Sequence, residues 1–391
     1  MLEFKIRIIE NLFNKALYIF ILLTLFSLPL FEAPKNIAFI LATLIFLTKN
    51  IIYRDKISLS GLDKALLLFL CLSIISAIFS PYRDYALKKG VWDTFRFVIF
   101  FFLIEYSINT PFRIRLAILI IIISMIIGDF IGIRHYLESP SLNSINFIGY
   151  RTATATYLAF FLSLGLGILL TNKTENRYFL FFVLISTIIT WIVLFLSLAR
   201  AAIFSVTIVF LFFCALKRHF KILTLGCLLI IIAIFSFTPL RERTLKQPFS
   251  NEGLYLRYKI WKGAMRIVKD RPFLGIGPRT YHLRENCIKY NLPQDIRSSD
   301  AHNIFLNIVS ERGLLGLFSF LIFLAYYLKI LYKTRNRRRG MSAALWYACL
   351  GNLIHLLFIG TVHSVLATES AMFFMATLGL FSSSLEIQDK L

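Results

Sequence analysis

The chain has 391 residues, of which 58% are hydrophobic and only 16% charged, and its mean hydropathy is +0.73. Soluble domains carry nearer a quarter charged residues, so an ordinary soluble fold is excluded. Long apolar runs with 40 Phe also exclude a barrel, whose strands are short and alternate apolar with polar residues. The net charge of +22 is spread between hydrophobic stretches, which fits positive-inside loops and membrane lipid as a partner and argues against nucleic acid.

In chain order, candidate spans fall at 16–31, 36–53, 62–79, 91–108, 114–133, 152–171, 178–197, 201–216, 221–237, 305–332, 343–361 and 366–384. Each approaches the length needed to cross a hydrocarbon core about 30 Å thick. The expected fold class is therefore an all-α polytopic membrane protein with about twelve transmembrane helices. The first span follows Lys5, Arg7 and Lys15 like a signal sequence, but no small-x-small cleavage site comes after it, so it is expected to be a retained helix. The Lys and Arg distribution places both termini in the cytoplasm. Inner loops then hold Arg54 and Lys56, Arg113 and Arg115, Lys173 and Arg177, Lys217 and Arg218, and the run Lys333–Arg339. The outer loop with Arg83, Lys88 and Lys89 breaks the rule locally.

This orientation divides the chain into an N-terminal membrane region at 1–237, one large extracytoplasmic loop at 238–304, and a C-terminal membrane region at 305–391. The loop contains a helical stretch, LYLRYKIWKGAMRIVKD. Its apolar face is expected to carry Leu254, Tyr258, Trp261, Met265 and Val268, and its basic face Lys259, Lys262, Arg266 and Lys269, the pattern of a helix lying on a bilayer surface. Pro272 limits the helix, and PFLGIGP then makes a tight turn at Gly275, Gly277 and Pro278. Of the five cysteines only Cys287 lies in the loop, so no structural disulfide is expected there.

Three residues stand out chemically. Arg200 is the only charged residue between Arg177 and Lys217, at a hairpin, SLARAA. An arginine at the edge of hydrocarbon either serves function or snorkels to lipid phosphate. Arg257 projects into the apolar face of the loop helix, away from the other basic residues, where it meets either an anionic partner or an aromatic ring. His302 follows Ser298, Ser299 and Asp300, any of which could cap a helix, so His302 is expected in the first helical turn at the membrane boundary, as a proton acceptor or a structural residue. Arg151, Arg271, Arg279 and Arg312 are further candidates for phosphate contacts, each otherwise an exposed interfacial charge. There is no P-loop, no HExxH and no DxD, and His282 and His302 lack metal-ligand spacing. No metal and no cofactor are expected, and arginines can take a divalent cation's place in neutralising a pyrophosphate.

Four segments together resemble the O-antigen ligase and O-antigen polymerase superfamily (WaaL/Wzy type). These are SLARAA at Ser197–Ala202, RYKIW at Arg257–Trp261, RPFLGIGP at Arg271–Pro278, and HNIFLNIVSERGLLG from His302 to Gly316, with Glu311, Gly313 and Gly316 in the family's positions. Ala199 departs from the Ser found in many relatives. The resemblance implies a metal-independent, inverting glycosyltransferase of the GT-C type. Its donor would be an undecaprenyl-diphosphate-linked glycan and its acceptor the lipid A–core, with transfer on the periplasmic face of the bacterial inner membrane. It carries the family's essential histidine onto His302 and its diphosphate-binding arginines onto Arg200 and Arg257. A polymerase or a protein O-oligosaccharyltransferase would share the donor; one dominant late loop, with only the short Arg134–Arg151 stretch before it, suits a ligase. A lipid transporter or flippase is the non-enzymatic alternative, but the sequence lacks the paired broken spans such proteins tend to have.

Overall fold

The computed structural model describes residues 2–53, 58–141, 144–171, 176–218, 224, 226, 251–293, 300–336, 339–363, 365–366 and 368–390. Its elements are helices: α1 (Leu2–Ser27), α2 (Glu32–Tyr53), α3 (Gly61–Ile78), α4 (Trp92–Ser107), α5 (Pro111–Glu138), α6 (Arg151–Thr171), α7 (Arg177–Leu196), α8 (Arg200–Leu216), α9 (Asn251–Asp270), α10 (Arg284–Lys289), α11 (Ile304–Thr334), α12 (Gly340–Gly360) and α13 (Thr368–Lys390). A short helical turn and a π turn at Arg83–Val91 lead straight into α4. Among the described residues nine helices are long and apolar enough to cross a membrane, and α8 is a shorter apolar helix. Eleven of the expected spans coincide with helices. The twelfth, 221–237, lies outside the described residues apart from Thr224 and Gly226. The first span ends earlier than expected, because residues 28–30 turn the chain between α1 and α2.

Local chemistry sets several helix starts. Ser60 and Asp63 form a reciprocal capping box on α3, with Asp63 N–H donating to Ser60 Oγ at 3.2 Å and Ser60 N–H to Asp63 Oδ2 at 2.7 Å. Thr110 caps α5 ahead of Pro111, and Asn176 caps α7. The helices bury one continuous apolar core in which α6, α12 and α13 are central and α1 and α2 peripheral. Lys35 of α2, fully buried, pairs with Glu369 at the start of α13 at one end of the bundle. At the other end Tyr106 donates to Asp63 Oδ2 at 3.1 Å, and Ser382 donates to Glu105.

α9 departs from the expected amphipathic face. The stripe it buries is Ile260, Ala264 and Ile267, each with no exposure, against Ile276, Tyr281, Cys287, Tyr290, Leu292 and Ala301. Tyr258 and Met265 of the expected apolar face are 58% and 46% exposed. The loop thus has a small core of its own, and smaller side chains one position round the helix fit against it. The basic residues Lys259, Lys262, Arg266 and Lys269 are exposed as expected.

The loop is joined to the bundle at a break in α11. Gly313 has φ 68° and ψ −173°, a conformation essentially confined to glycine, so the helical ladder is interrupted there. The segment after α9 fills the gap. Leu314 N–H donates to Pro272 O at 2.7 Å and Leu315 N–H to Phe273 O at 3.3 Å, while Ile276 N–H donates to Ser310 O at 3.1 Å and Gly277 N–H to Glu311 O at 2.8 Å. A Cβ on Gly313 would lie 2.1 Å from Phe273 O, and one on Gly275 (φ 68°) 2.5 Å from the Glu311 carbonyl carbon. Beside the break Arg312 is buried, with Nε donating to Ser73 Oγ at 3.0 Å, Nη2 to Thr94 Oγ1 at 3.1 Å and Nη1 to Glu311 Oε2 at 3.3 Å. Arg312 therefore ties α11 to α3 and α4. Gly313→Ala should destabilise the protein by about 1–3 kcal/mol through backbone strain alone. Thermal unfolding of the purified protein in detergent measures this, and an unchanged midpoint would mean the break is dispensable.

Candidate functional site

The end of the bundle that carries the loop collects the candidate residues. Arg200 opens α8 after a turn in which Leu198 adopts φ 53° and Ser197 Oγ accepts Ala199 N–H at 3.2 Å. Arg151 opens α6. Arg257 lies on the first half of α9, on the same stripe as Ile260 and Ala264. All three arginines are half-buried. Arg200 lies within electrostatic reach of both Arg151 and Arg257. The guanidinium of Arg257 is held below its ordinary pKa, first by burial and then by the charge of Arg200. Arg200 and Arg257 are therefore brought together, and Arg151 joins them.

His302 lies beside this cluster, but not in a helix. Its φ of 47° is left-handed, and the N-cap of α11 is Asn303, whose Oδ1 accepts the N–H groups of Phe305 at 3.0 Å and Leu306 at 3.1 Å. The expected cap is thus corrected. Ser298 and Ser299 lie outside the described residues. Asp300 instead closes a turn on His302, accepting its N–H at 2.7 Å, with Nδ1 of the ring 3.2 Å from the same oxygen. Trp261 of α9 donates from Nε1 to Ala301 O at 3.1 Å, which ties the helix of Arg257 to the residue before His302.

His363, in the loop after α12, also borders the cluster and is not among the residues expected from sequence. Its ring packs edge-to-face on His302 with centroids 5.6 Å apart, and it lies within electrostatic reach of Arg257 and Arg151. Burial, and then His302, Arg257 and Arg151, push its pKa down to about 3, so its ring is neutral at physiological pH. No periodicity or motif marks this position in the sequence.

The remaining arginines each make protein contacts of their own. Arg271 donates to Phe79 O at 3.4 Å at the end of α3. Arg279 pairs with Asp93 at 2.6 Å, and Asp93 also holds Arg96. Arg312 is the buried clasp beside the α11 break, where it is enclosed by protein donors and acceptors and is not an interfacial charge.

Fold and site together define a multi-pass membrane protein with a cluster of three arginines beside two imidazoles at one end of the helical bundle. Residues 185–321 match the family model for O-antigen ligase, a stretch running from α7 into α11 that holds Arg200, Arg257, His302 and the Gly313 break. This match supports the O-antigen ligase and polymerase superfamily, on the same segments that carried the sequence resemblance. Arg151 and His363 lie outside the matched stretch. No curated protein matches the chain.

A half-buried trio of guanidinium groups should prefer a compact polyanion. Inorganic pyrophosphate at about ten times its dissociation constant should stabilise the protein by about 1.4 kcal/mol. Arg151→Ala, Arg200→Ala and Arg257→Ala should each weaken that thermal shift, and Arg335→Ala, at the far end of α11, should leave it intact. Equal shifts in all four variants would place the anion elsewhere.

Proposed function

We propose that the protein is an O-antigen ligase, a GT-C type glycosyltransferase moving a glycan from undecaprenyl diphosphate to the lipid A–core on the periplasmic face of the inner membrane, with both termini cytoplasmic. The observation that carries the reading is the convergence of Arg200, Arg257 and Arg151 next to His302. Three fixed cations suit a diphosphate, and a histidine beside them suits removal of a proton from an attacking hydroxyl.

The reaction follows from these roles. The acceptor hydroxyl attacks the anomeric carbon from the face opposite the diphosphate, which inverts that centre. The glycosidic carbon–oxygen bond to phosphate breaks, and undecaprenyl diphosphate leaves with the electron pair. With the proton on Nδ1 of His302, the nitrogen 3.2 Å from Asp300 Oδ1, Nε2 is left to accept the hydroxyl proton. The arginines take up the charge that grows on the leaving diphosphate. Contacts that strengthen as that charge develops lower the barrier, whereas equal binding of donor and transition state would not. Arginine suits the task because its planar fork can hold two phosphate oxygens at once.

The test is reconstitution of the purified protein with a polyprenyl-diphosphate glycan and purified lipid A–core, with a chelator and no nucleotide, and the product read as a mobility shift of the acceptor. His302→Ala should lower the rate by roughly 10²–10⁴-fold, the usual range for a lost general base, with folding intact. Arg257→Lys should also be slow. An active His302→Ala protein would end the general-base assignment. Extension of one donor glycan by another, with lipid A–core ignored, would make the protein a polymerase.

A further inference from the structure

The loop between α12 and α13 is built into the site by contacts that do not involve the arginines. Thr361, Val362 and His363 form a tight turn, with the N–H groups of Val362 and His363 both donating to Ile359 O at 2.9 Å. Asn303, the cap of α11, donates from Nδ2 to Thr361 O at 3.3 Å, so the residue after His302 is tied to this turn two residues before His363. The approach is close: a Cβ on Gly360 would meet Ile304 Cγ2 at 2.9 Å. Two loops distant in sequence are thereby clamped together, and the two imidazoles meet edge to face across the clamp.

We propose that His363 is a positioning residue for the base: its ring, packed edge-to-face on His302, fixes the plane in which His302 presents its nitrogen to the acceptor hydroxyl. This rests on the glycosyl-transfer reading of the site. The groups around the pair are Asp300 on the His302 side, and Arg151 and Arg257 on the His363 side. The two arginines oppose a proton on His363, so the ring packs against the base without adding a positive charge beside it. A base that must gain a proton during the reaction would be hindered by a cationic neighbour, and an aliphatic one would leave its ring free to turn. A neutral aromatic ring avoids both costs.

Three variants separate this role from a purely structural one, after thermal unfolding has confirmed that each is folded. His363→Ala should lower kcat by roughly 10–100-fold, the scale of loss from slight misplacement of a reacting group, with KM for the donor nearly unchanged. His363→Phe keeps an aromatic edge and should recover most of that loss. His363→Lys puts a fixed cation at the position and should move the acid limb of the kcat profile to lower pH. A rise in donor KM shared by the Ala and Phe variants, with kcat unaffected, would make His363 a phosphate contact and overturn the proposal; so would wild-type behaviour in all three. A second readout needs no turnover. In ¹³C-histidine NMR of the full-length protein, with the His302 signal assigned by its loss in His302→Ala, His363→Lys should lower the titration midpoint of His302. An unmoved midpoint defeats the pairing of the two rings. Absence of transfer by the wild-type protein, with the midpoint moved, instead defeats the glycosyl-transfer reading.

Discussion

The arrangement depends on how a broken helix is closed. Inside hydrocarbon or a packed bundle, backbone groups freed by a helix break must find partners, since each one left unsatisfied costs several kcal/mol. At Gly313 the partners come from Pro272–Gly277, a segment of the loop, and the exchange runs both ways: α11 donates to Pro272 and Phe273 and accepts from Ile276 and Gly277. The loop therefore cannot move independently of α11. Arg312 fixes the break to α3 and α4, and removing one partner from a buried charged network of this kind typically costs about 3–5 kcal/mol. The helix of Arg257 that leads into this junction and the Asp300–His302 turn that leads into α11 both take their position from it.

The site itself is made of element ends. Arg151 and Arg200 each begin a membrane helix, His302 precedes the cap of α11, and His363 follows the end of α12. Helix ends are where side chains can leave the apolar bundle without burying a charge in lipid, and helix N-termini favour anions. Collecting three arginines in one place costs mutual repulsion, which adds to burial in lowering the affinity of Arg257 for its proton. That repulsion is relieved when a doubly charged group sits among them. On the proposed reading, a site that is electrostatically uncomfortable when empty would for the same reason favour a diphosphate over a neutral headgroup.

Much of this was legible in the sequence, for reasons that also explain the misses. Hydropathy over a helix length reports spans directly, so eleven of the expected spans coincide with helices. Arg257 could be found because it interrupts a periodic pattern, and Arg200 because it stands alone between apolar runs. The buried stripe of α9 was misjudged by one position because large aromatics outweighed Ile260, Ala264 and Ile267, although the loop core has room for the smaller set. The α11 cap was misjudged because Asp300 and Asn303 are both good capping residues, and only the left-handed turn at His302 decides between them. Arg312 reads as one more interfacial charge until Ser73 and Thr94, more than two hundred residues away, come into contact with it. His363 carries no local signal at all, because its place depends on Gly360 lying against Ile304.

The same geometry divides the proposed reaction between two bodies. His302 and Arg257 belong to the loop, joined through Trp261 and Ala301 and anchored at the α11 break. Arg151 and Arg200 belong to the bundle. A polyprenyl chain can reach the site only from the lipid side, along the helices that Arg151 and Arg200 begin, whereas an acceptor headgroup approaches from the aqueous side, over the exposed face of α9. In the proposed reaction the diphosphate would sit where the two meet and draw cations from both. A base on a separately moving loop would have to be positioned again at every turnover; one bonded to α11 through Pro272–Gly277 and steadied by His363 is held before the donor arrives.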